Sequence, residues 1–369
     1  MTKAIWLATM VLAMLASFAA RAASPVLEEA TDLSGAVMFM ESHAPGMVLV
    51  AVRGDDQIIR GFGETISGNK QEPNGSSLFR LNSITKVFTT EALVSLVADA
   101  KLRLTDPLQR YGGDVKVLEF EGRPITLLDL ATHSGAMPRE MGEAPAGAGA
   151  RDWPTRADRW KWIATYKLPW APGSIAAYSN VGFDLLADAI ETADGTPYPD
   201  ILKARVTGPL GMKDTTFMPT SEQCKRLMAG TGLGASTTCE DTHATDGSGG
   251  LYSTGNDMAV WLRHNLTPND TLAMSHAVYL QRQSLSAAIG FDEGAPMSGL
   301  GLGWVYLAAS GAQPALLTKS GGGVGFMSYM AFAPGRNAGA LVIVNRTDFG
   351  IFAPLVGAAN SLIAALATR

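Results

Sequence analysis

The sequence predicts an α/β (α+β) fold in which one antiparallel sheet is assembled from both ends of the chain, is flanked by helices, and receives a mainly helical subdomain as an insertion. Three observations lead there. Strand-like segments with turn signals lie near the start and again near the end, helical patterns broken by Pro- and Gly-rich loops fill the stretch between, and the last apolar segment repeats its large residues at helical spacing. With 369 residues, 47% hydrophobic and 17% charged, the chain can form two closely packed subdomains around an ordinary globular core. Its formal net charge of -5 lacks the positive footprint that phosphate backbones select, so no nucleic acid partner is expected.

The first residues, MTKAIWLATMVLAMLASFAARAAS, hold one lysine, an uncharged apolar run from Ala4 to Ala20, and small residues around Ala20-Arg21-Ala22. That is the layout of a secretory signal, so residues 1–22 are read as a signal peptide cleaved after Ala22. MVLVAVR (47–53) and QIIRGFG (57–63) flank Gly54-Asp55-Asp56 and read as a β-hairpin. GWVYLA, ALLTK, GFMSYMAF and GALVIVN, within residues 303–345, alternate with turns such as Pro334-Gly335-Arg336-Asn337. Residues 23–80 and 290–369 are therefore expected to form the sheet subdomain and residues 81–289 the helical one, with a site in the cleft between them. The closing GIFAPLVGAANSLIAALATR sets Ile351, Phe352, Leu355, Leu362, Ile363 and Leu366 at helical spacing with small residues opposite. No basic cluster flanks it, so it reads as a helix packed on the sheet, and membrane association as peripheral at most. For the two cysteines, Cys224 and Cys239, export makes a disulfide the expected state, with two buried thiols as the alternative.

The chain contains no HExxH, CxxC or GxSxG, and its five histidines (His43, His133, His243, His264, His276) show no metal-ligand spacing, so neither metal nor cofactor is implied. What remains is serine activated by lysine. LFRLNSITKVFTTEALVSLVADAKL (78–102) reads as a mostly buried helix capped by Asn82, with Lys86 in its first turn. A cation there opposes the helix dipole at a cost of roughly 0.3–1 kcal/mol, and burial adds to it. The same field lowers the pKa of the amine, which is what a lysine needs to take a proton from Ser83 on the same helix face. A second pair at this spacing, Ser67 and Lys70, sits in TISGNKQEPNG, where Gly68, Asn69 and Pro73 favour a solvated turn. A proton relay is then expected from Tyr178, which precedes Ser179-Asn180 at the start of an amphipathic helix; a packed tyrosine beside a capping asparagine is the plainer reading. For an anion clamp, His133-Ser134-Gly135 and Lys319-Ser320-Gly321 compete. The first is expected to end a helix with Gly135 as its cap, whereas the second ends the strand ALLTK and continues as KSGGGVGF, whose glycines let backbone N–H groups approach a ligand. Lys319 is therefore preferred. Trp153, Trp160, Trp162 and Trp170 are expected to pack a satellite core.

The order SITK, YSN, KSG resembles the penicillin-recognising serine enzymes, and the tyrosine in the middle motif points to their class C β-lactamase branch. The phrases LATHSGAMPRE, APGSIAAYSNVGFDLLADAI, GPLGMKDTTF, GSGGLYST and LGLGWVY, with the cysteines near QCKRLM, are similar to AmpH-type D-alanyl-D-alanine carboxypeptidase/endopeptidases over residues 30–365. The resemblance implies a β-lactamase/transpeptidase-like fold and a periplasmic serine DD-peptidase that forms an acyl-enzyme with peptidoglycan stem peptides and with β-lactams. It implies that Ser83 is the nucleophile and that Lys86 and Tyr178 transfer its proton. By the same resemblance, Asn180 would bind the substrate amide, Lys319, Ser320 and Gly321 would form the carboxylate site, and the backbone N–H groups of Ser83 and Gly322 would form the oxyanion hole. Ser320 stands where threonine is usual and keeps the hydroxyl. A class C-like β-lactamase is the closest rival reading, followed by an SxxK esterase and by a non-enzymatic penicillin or peptidoglycan binder.

Overall fold

The computed structural model describes residues 25–146, 153–267, 269–291 and 296–367, so the signal-peptide reading of residues 1–22 lies outside the described residues. Eight strands form one antiparallel sheet: β1 (Gly46–Arg53), β2 (Asp56–Gly63), β3 (Leu280–Gln281), β4 (Gly299–Leu300), β5 (Val305–Leu307), β6 (Leu316–Gly323), β7 (Phe326–Ala333) and β8 (Ala338–Val344). Their order is β2-β1-β8-β7-β6-β5-β4-β3, which sets the first hairpin of the chain against its last strand, with Val50 opposite Leu341. The period of two decides which core each residue enters. Val48, Val50 and Val52 face one side with Leu341 and Ile343, while Met47, Leu49 and Ala51 face the other with Ala340 and Val342.

On the second of these sides lie α1 (Pro25–Ser42) and the C-terminal helix Phe352–Ala367, which buries Leu355, Val356, Ala359, Leu362, Ile363 and Leu366. That helix and its first turn are long and apolar enough to cross a bilayer, but the apolar face is used against the sheet and α1, as the spacing predicts. On the first side lies the inserted region, centred on α2 (Thr85–Ala98). This helix is apolar nearly all round, with Val87, Phe88, Ala92, Leu93, Val94 and Leu96 all buried, which suits a helix enclosed by neighbours. Trp160 belongs to the main core on this side and Trp162 packs against it, so these two do not form the separate satellite core expected of them. Residues 81–289 are not free of strands: Tyr252–Thr254 pairs with Leu78–Arg80, Ile175–Ala177 runs parallel to Ala287–Ile289, and β3 joins the large sheet.

Three local expectations are corrected. Asn82 does not cap α2. It sits in a 3-10 turn (Asn82–Ile84) with a left-handed φ of 49°, and its amide donates to the carbonyls of Gly323 and Phe326, tying the start of α2 to the β6–β7 turn. Gly135 does not cap α3 (Leu127–Ala131). His133 takes the left-handed position at φ 57°, with its N–H on the Leu130 carbonyl and the Ser134 N–H on that of Asp129, a Schellman closure. Finally, Lys319 does not end its strand. β6 runs on to Gly323, because pairing of Gly321 with Ser328 and Gly322 with Met327 needs backbone alone.

Cys224 and Cys239 are joined in a disulfide. It closes the segment that brings Ser236 and Glu240 to the cleft. For the 15-residue separation the chain-entropy account assigns about 3 kcal/mol. Replacing both cysteines by serine is expected to lower the unfolding free energy extrapolated from urea titration by about that amount, with a lower urea midpoint; an unchanged unfolding free energy would show that the bridge adds nothing to stability.

Candidate active site

Ser83 lies in the 3-10 turn that leads into α2, so Lys86 is one turn further along the same face. The Lys86 side chain is fully buried, and its ammonium donates to Asn180 Oδ1 at 2.6 Å, to the Ser248 carbonyl at 2.7 Å and to Ser83 Oγ at 3.3 Å. Two short bonds to fixed acceptors leave the third tetrahedral direction aimed at Ser83. Burial lowers the Lys86 pKa; Tyr178 opposes that shift and the Lys319 charge adds to it. By contrast, Ser67 and Lys70 are exposed in a turn, as their sequence context predicts.

Tyr178 stands between the cations. Its ring centroid is 4.8 Å from Lys86 Nζ, 5.0 Å from Lys319 Nζ and 4.9 Å from the Arg139 guanidinium carbon. Burial pushes its hydroxyl up, but the charges of Lys319 and Lys86 and hydrogen bonds with Ser83 and Lys86 outweigh that and bring it down to about 8. The backbone fixes it on three consecutive residues: Tyr178 N–H donates to the Ile289 carbonyl at 2.9 Å, Ser179 N–H to His133 Nδ1 at 3.1 Å, and Asn180 N–H to the Arg139 carbonyl at 2.8 Å. Asn180 opens α4 (Asn180–Asp194), capped by Ser179, whose hydroxyl accepts from Gly182 N–H at 2.8 Å and donates to the Pro138 carbonyl at 2.6 Å. The Asn180 amide nitrogen donates to Glu140.

From the sheet side β6 delivers Lys319, buried beneath the cleft floor, and Ser320, Gly321 and Gly322, which line the hollow next to Ser83. A Cβ on Gly321 would sit 2.4 Å from the Leu81 carbonyl oxygen and 3.2 Å from Ser83 N, so only glycine lets β6 approach the serine this closely. Ser83 borders two hollows. One is lined by Arg139, Tyr178, Gly290 and Ser320, the other by Asn180, Ser236, Glu240 and Ser248. All eight residues expected at the site (Ser83, Lys86, Tyr178, Asn180, Lys319, Ser320, Gly321, Gly322) are thus brought together.

Sequence reasoning passed over four others. His133, set aside as an anion clamp, is buried behind Tyr178, with the two rings stacked at 4.5 Å. Burial and the charges of Lys86, Lys319 and Arg139 hold it well below the usual histidine range, and the Ser179 bond to Nδ1 places its proton on Nε2. Ser248 supplies the carbonyl for Lys86, and its hydroxyl donates to Asp184 at 3.1 Å. Burial raises Asp184 to about 7 against the pull of Arg159 and Lys86. Arg139 borders the cleft beside Tyr178. The signal for His133 and Ser248 lay in the phrases LATHSG and GSGGLYST, but nothing in their spacing to Ser83 foretold contact.

The chain is similar to known proteins over most of its length. AmpH of Escherichia coli K12, named as a D-alanyl-D-alanine-carboxypeptidase/endopeptidase, is 42% identical over 94% of this chain and 92% of its own length. A β-lactamase of the same organism is 24% identical over 83% of this chain and 85% of its own. The crystal structure of a β-lactamase/D-alanine carboxypeptidase from Yersinia pestis complexed with citrate superposes with a TM-score of 0.88 at 41% identity, covering 92% of this chain and 98% of the other. The Beta-lactamase family model matches residues 24–358, and the chain belongs to that family.

Proposed function

We propose that this protein is a periplasmic serine DD-peptidase, a D-Ala-D-Ala carboxypeptidase and/or endopeptidase, that cleaves peptidoglycan peptides through an acyl-enzyme on Ser83. The observation that carries the reading is the junction of Ser83, Lys86 and Tyr178 with the glycine strand. Likeness to the Escherichia coli carboxypeptidase/endopeptidase over nearly the whole length supports the substrate class. The Cys224–Cys239 bridge supports an oxidising compartment.

In this reading Lys86 and Tyr178 share the proton that Ser83 gives up as its Oγ attacks the carbonyl of the penultimate D-alanine. Two of the Lys86 bonds are to Asn180 and Ser248, so the amine can hold its place whether or not it carries the third proton. With its hydroxyl at about 8, Tyr178 is partly ionised at neutral pH and can accept that proton, then return it to the leaving amine. The backbone N–H groups of Ser83 and Gly322 would receive the oxyanion, an effect worth roughly a hundredfold or more per donor. Lys319 and Ser320 would hold the terminal carboxylate, and Asn180 the amide on the acyl side. Departure of D-alanine opens the face from which water attacks, and Tyr178 with Lys86 would activate that water. An opened β-lactam keeps its amine tethered there, so its adduct should persist.

Two results are expected. A fluorescent penicillin should label wild type and Ser67→Ala but not Ser83→Ala, and intact-mass spectrometry should show the adduct outlasting many cycles of D-Ala-D-Ala peptide cleavage. An adduct lost within seconds, with β-lactam turnover outrunning peptide cleavage, would favour the β-lactamase reading instead. Second, Gly321→Ala should slow acylation by about 100-fold, the scale that a 1 Å misplacement of reacting groups brings. Acylation at the wild-type rate would show that the close approach of β6 to Ser83 does not matter to the chemistry.

A further inference from the structure

The leaving-group side of the cleft carries two features that the peptidase reading leaves unused. Arg139 is exposed at the lip, and among the described residues its guanidinium makes no hydrogen bond and no ion pair; its recorded contact is the face of Tyr178. Lys86 and Lys319 already direct two ammonium groups at that ring, so Arg139 adds a third positive charge to this side of the cleft, a potential that favours an anion. The lowering of the Tyr178 hydroxyl is led by the charges of Lys319 and Lys86, and Arg139 stands on the exposed side of the same ring. Across the hollow, Phe349 is 59% exposed, and its ring edge lies 3.3 Å from where a Cβ on Gly322 would be. On the other wall an Arg139 nitrogen lies 3.8 Å from where a Cβ on Gly290 would be. The hollow beside Ser83 therefore has an apolar ledge on its strand wall and an unneutralised cation on the other.

We propose that Arg139 selects leaving residues whose aliphatic side chain ends in a carboxylate. The α-carboxylate of the leaving residue goes to Lys319 and Ser320, the methylenes lie on Phe349, and the distal carboxylate pairs with Arg139. The inference rests on the peptidase reading of this site and extends it to an amino-dicarboxylate leaving group, which suits release of a second peptide stem better than release of D-alanine alone. The covalent step is unchanged: the bond from Ser83 Oγ to the carbonyl carbon forms, the carbon–nitrogen bond breaks, and the leaving amine takes the proton held between Lys86 and Tyr178.

The test is cleavage of N-acyl-D-Ala-X dipeptides in which X is D-alanine, D-norleucine, D-2-aminoadipate or D-lysine, by wild type, Arg139→Ala and Arg139→Glu. In wild type, kcat/KM for D-2-aminoadipate should exceed that for D-norleucine about tenfold, the scale of a charge-assisted hydrogen-bonded pair. Arg139→Ala should erase that difference and affect the D-alanine substrate least, and Arg139→Glu should turn the preference toward D-lysine. An equal loss on all four peptides in Arg139→Ala would make Arg139 a support for Tyr178 and overturn the inference, as would equal cleavage of all four by wild type. If wild type cleaved none of them, the peptidase reading would fall and this inference with it.

Discussion

Two buried ammonium groups facing one phenol ring set the conditions that the rest of this structure meets. Lys86 and Lys319 are 0% and 1% exposed, and removing each charge from water costs several kcal/mol after relaxation. For Lys86 the position at the start of a helix adds to that cost. The offset is local and specific. Asn180 and Ser248 give Lys86 two short hydrogen bonds, and both lysines lie over the electron-rich face of Tyr178. A phenol brought down to about 8 can supply negative charge where two positive ones need it. Stabilising the lysines and preparing a base for Ser83 are thus one piece of electrostatics.

The fold serves that arrangement through backbone contacts. Three successive N–H groups from Tyr178 to Asn180 are bound by Ile289 and by His133 and Arg139 of one loop, which together hold the ring in place. His133 contributes two contacts there, its carbonyl to Ala177 N–H at 2.8 Å and its Nδ1 to Ser179, while its ring backs Tyr178. A neutral imidazole is what this place tolerates, since a fourth positive charge behind the phenol would be repelled by Lys86, Lys319 and Arg139. Below Lys86 the Ser248 hydroxyl donates to Asp184, which feels the charge of Arg159 in the buried Arg159–Asp188 pair, joined at 2.6 and 2.9 Å. On the sheet side Gly321 keeps β6 within reach of Ser83, and Asn82 pins the serine turn to the same hairpin.

Much of this was legible in the sequence because it is written at short range. Two strand-like runs, 47–53 and 57–63, flanking Gly54-Asp55-Asp56 are a hairpin signal, and Ser83 with Lys86 is a spacing on one helix face. The order of three short motifs carries a family resemblance, and it is that resemblance which implies that Tyr178, Asn180 and Lys319 share one site. What stayed hidden depends on distant partners or on uncommon backbone. Asn82 and His133 adopt left-handed φ values that propensity assigns to glycine, so the expected cap at Asn82 and the expected stop at Gly135 were both misplaced. Arg139, Ser248 and Asp184 gain their places only when segments far apart in sequence meet, and a strand continuing through KSGGG reads as a loop until its partner strand is seen.

The central claim is that Lys319 and Lys86 hold the Tyr178 hydroxyl below its ordinary value. Carbon-13 NMR of protein labelled at the tyrosine ζ carbon, titrated from pH 6 to 11, reads this directly, with Tyr178→Phe assigning the signal among the eight tyrosines. The account predicts that the Tyr178 signal titrates near 8 and moves to higher pH in Lys319→Met, because the largest lowering charge is gone. A wild-type midpoint at or above the ordinary tyrosine value of about 10, or one indifferent to Lys319, would contradict it.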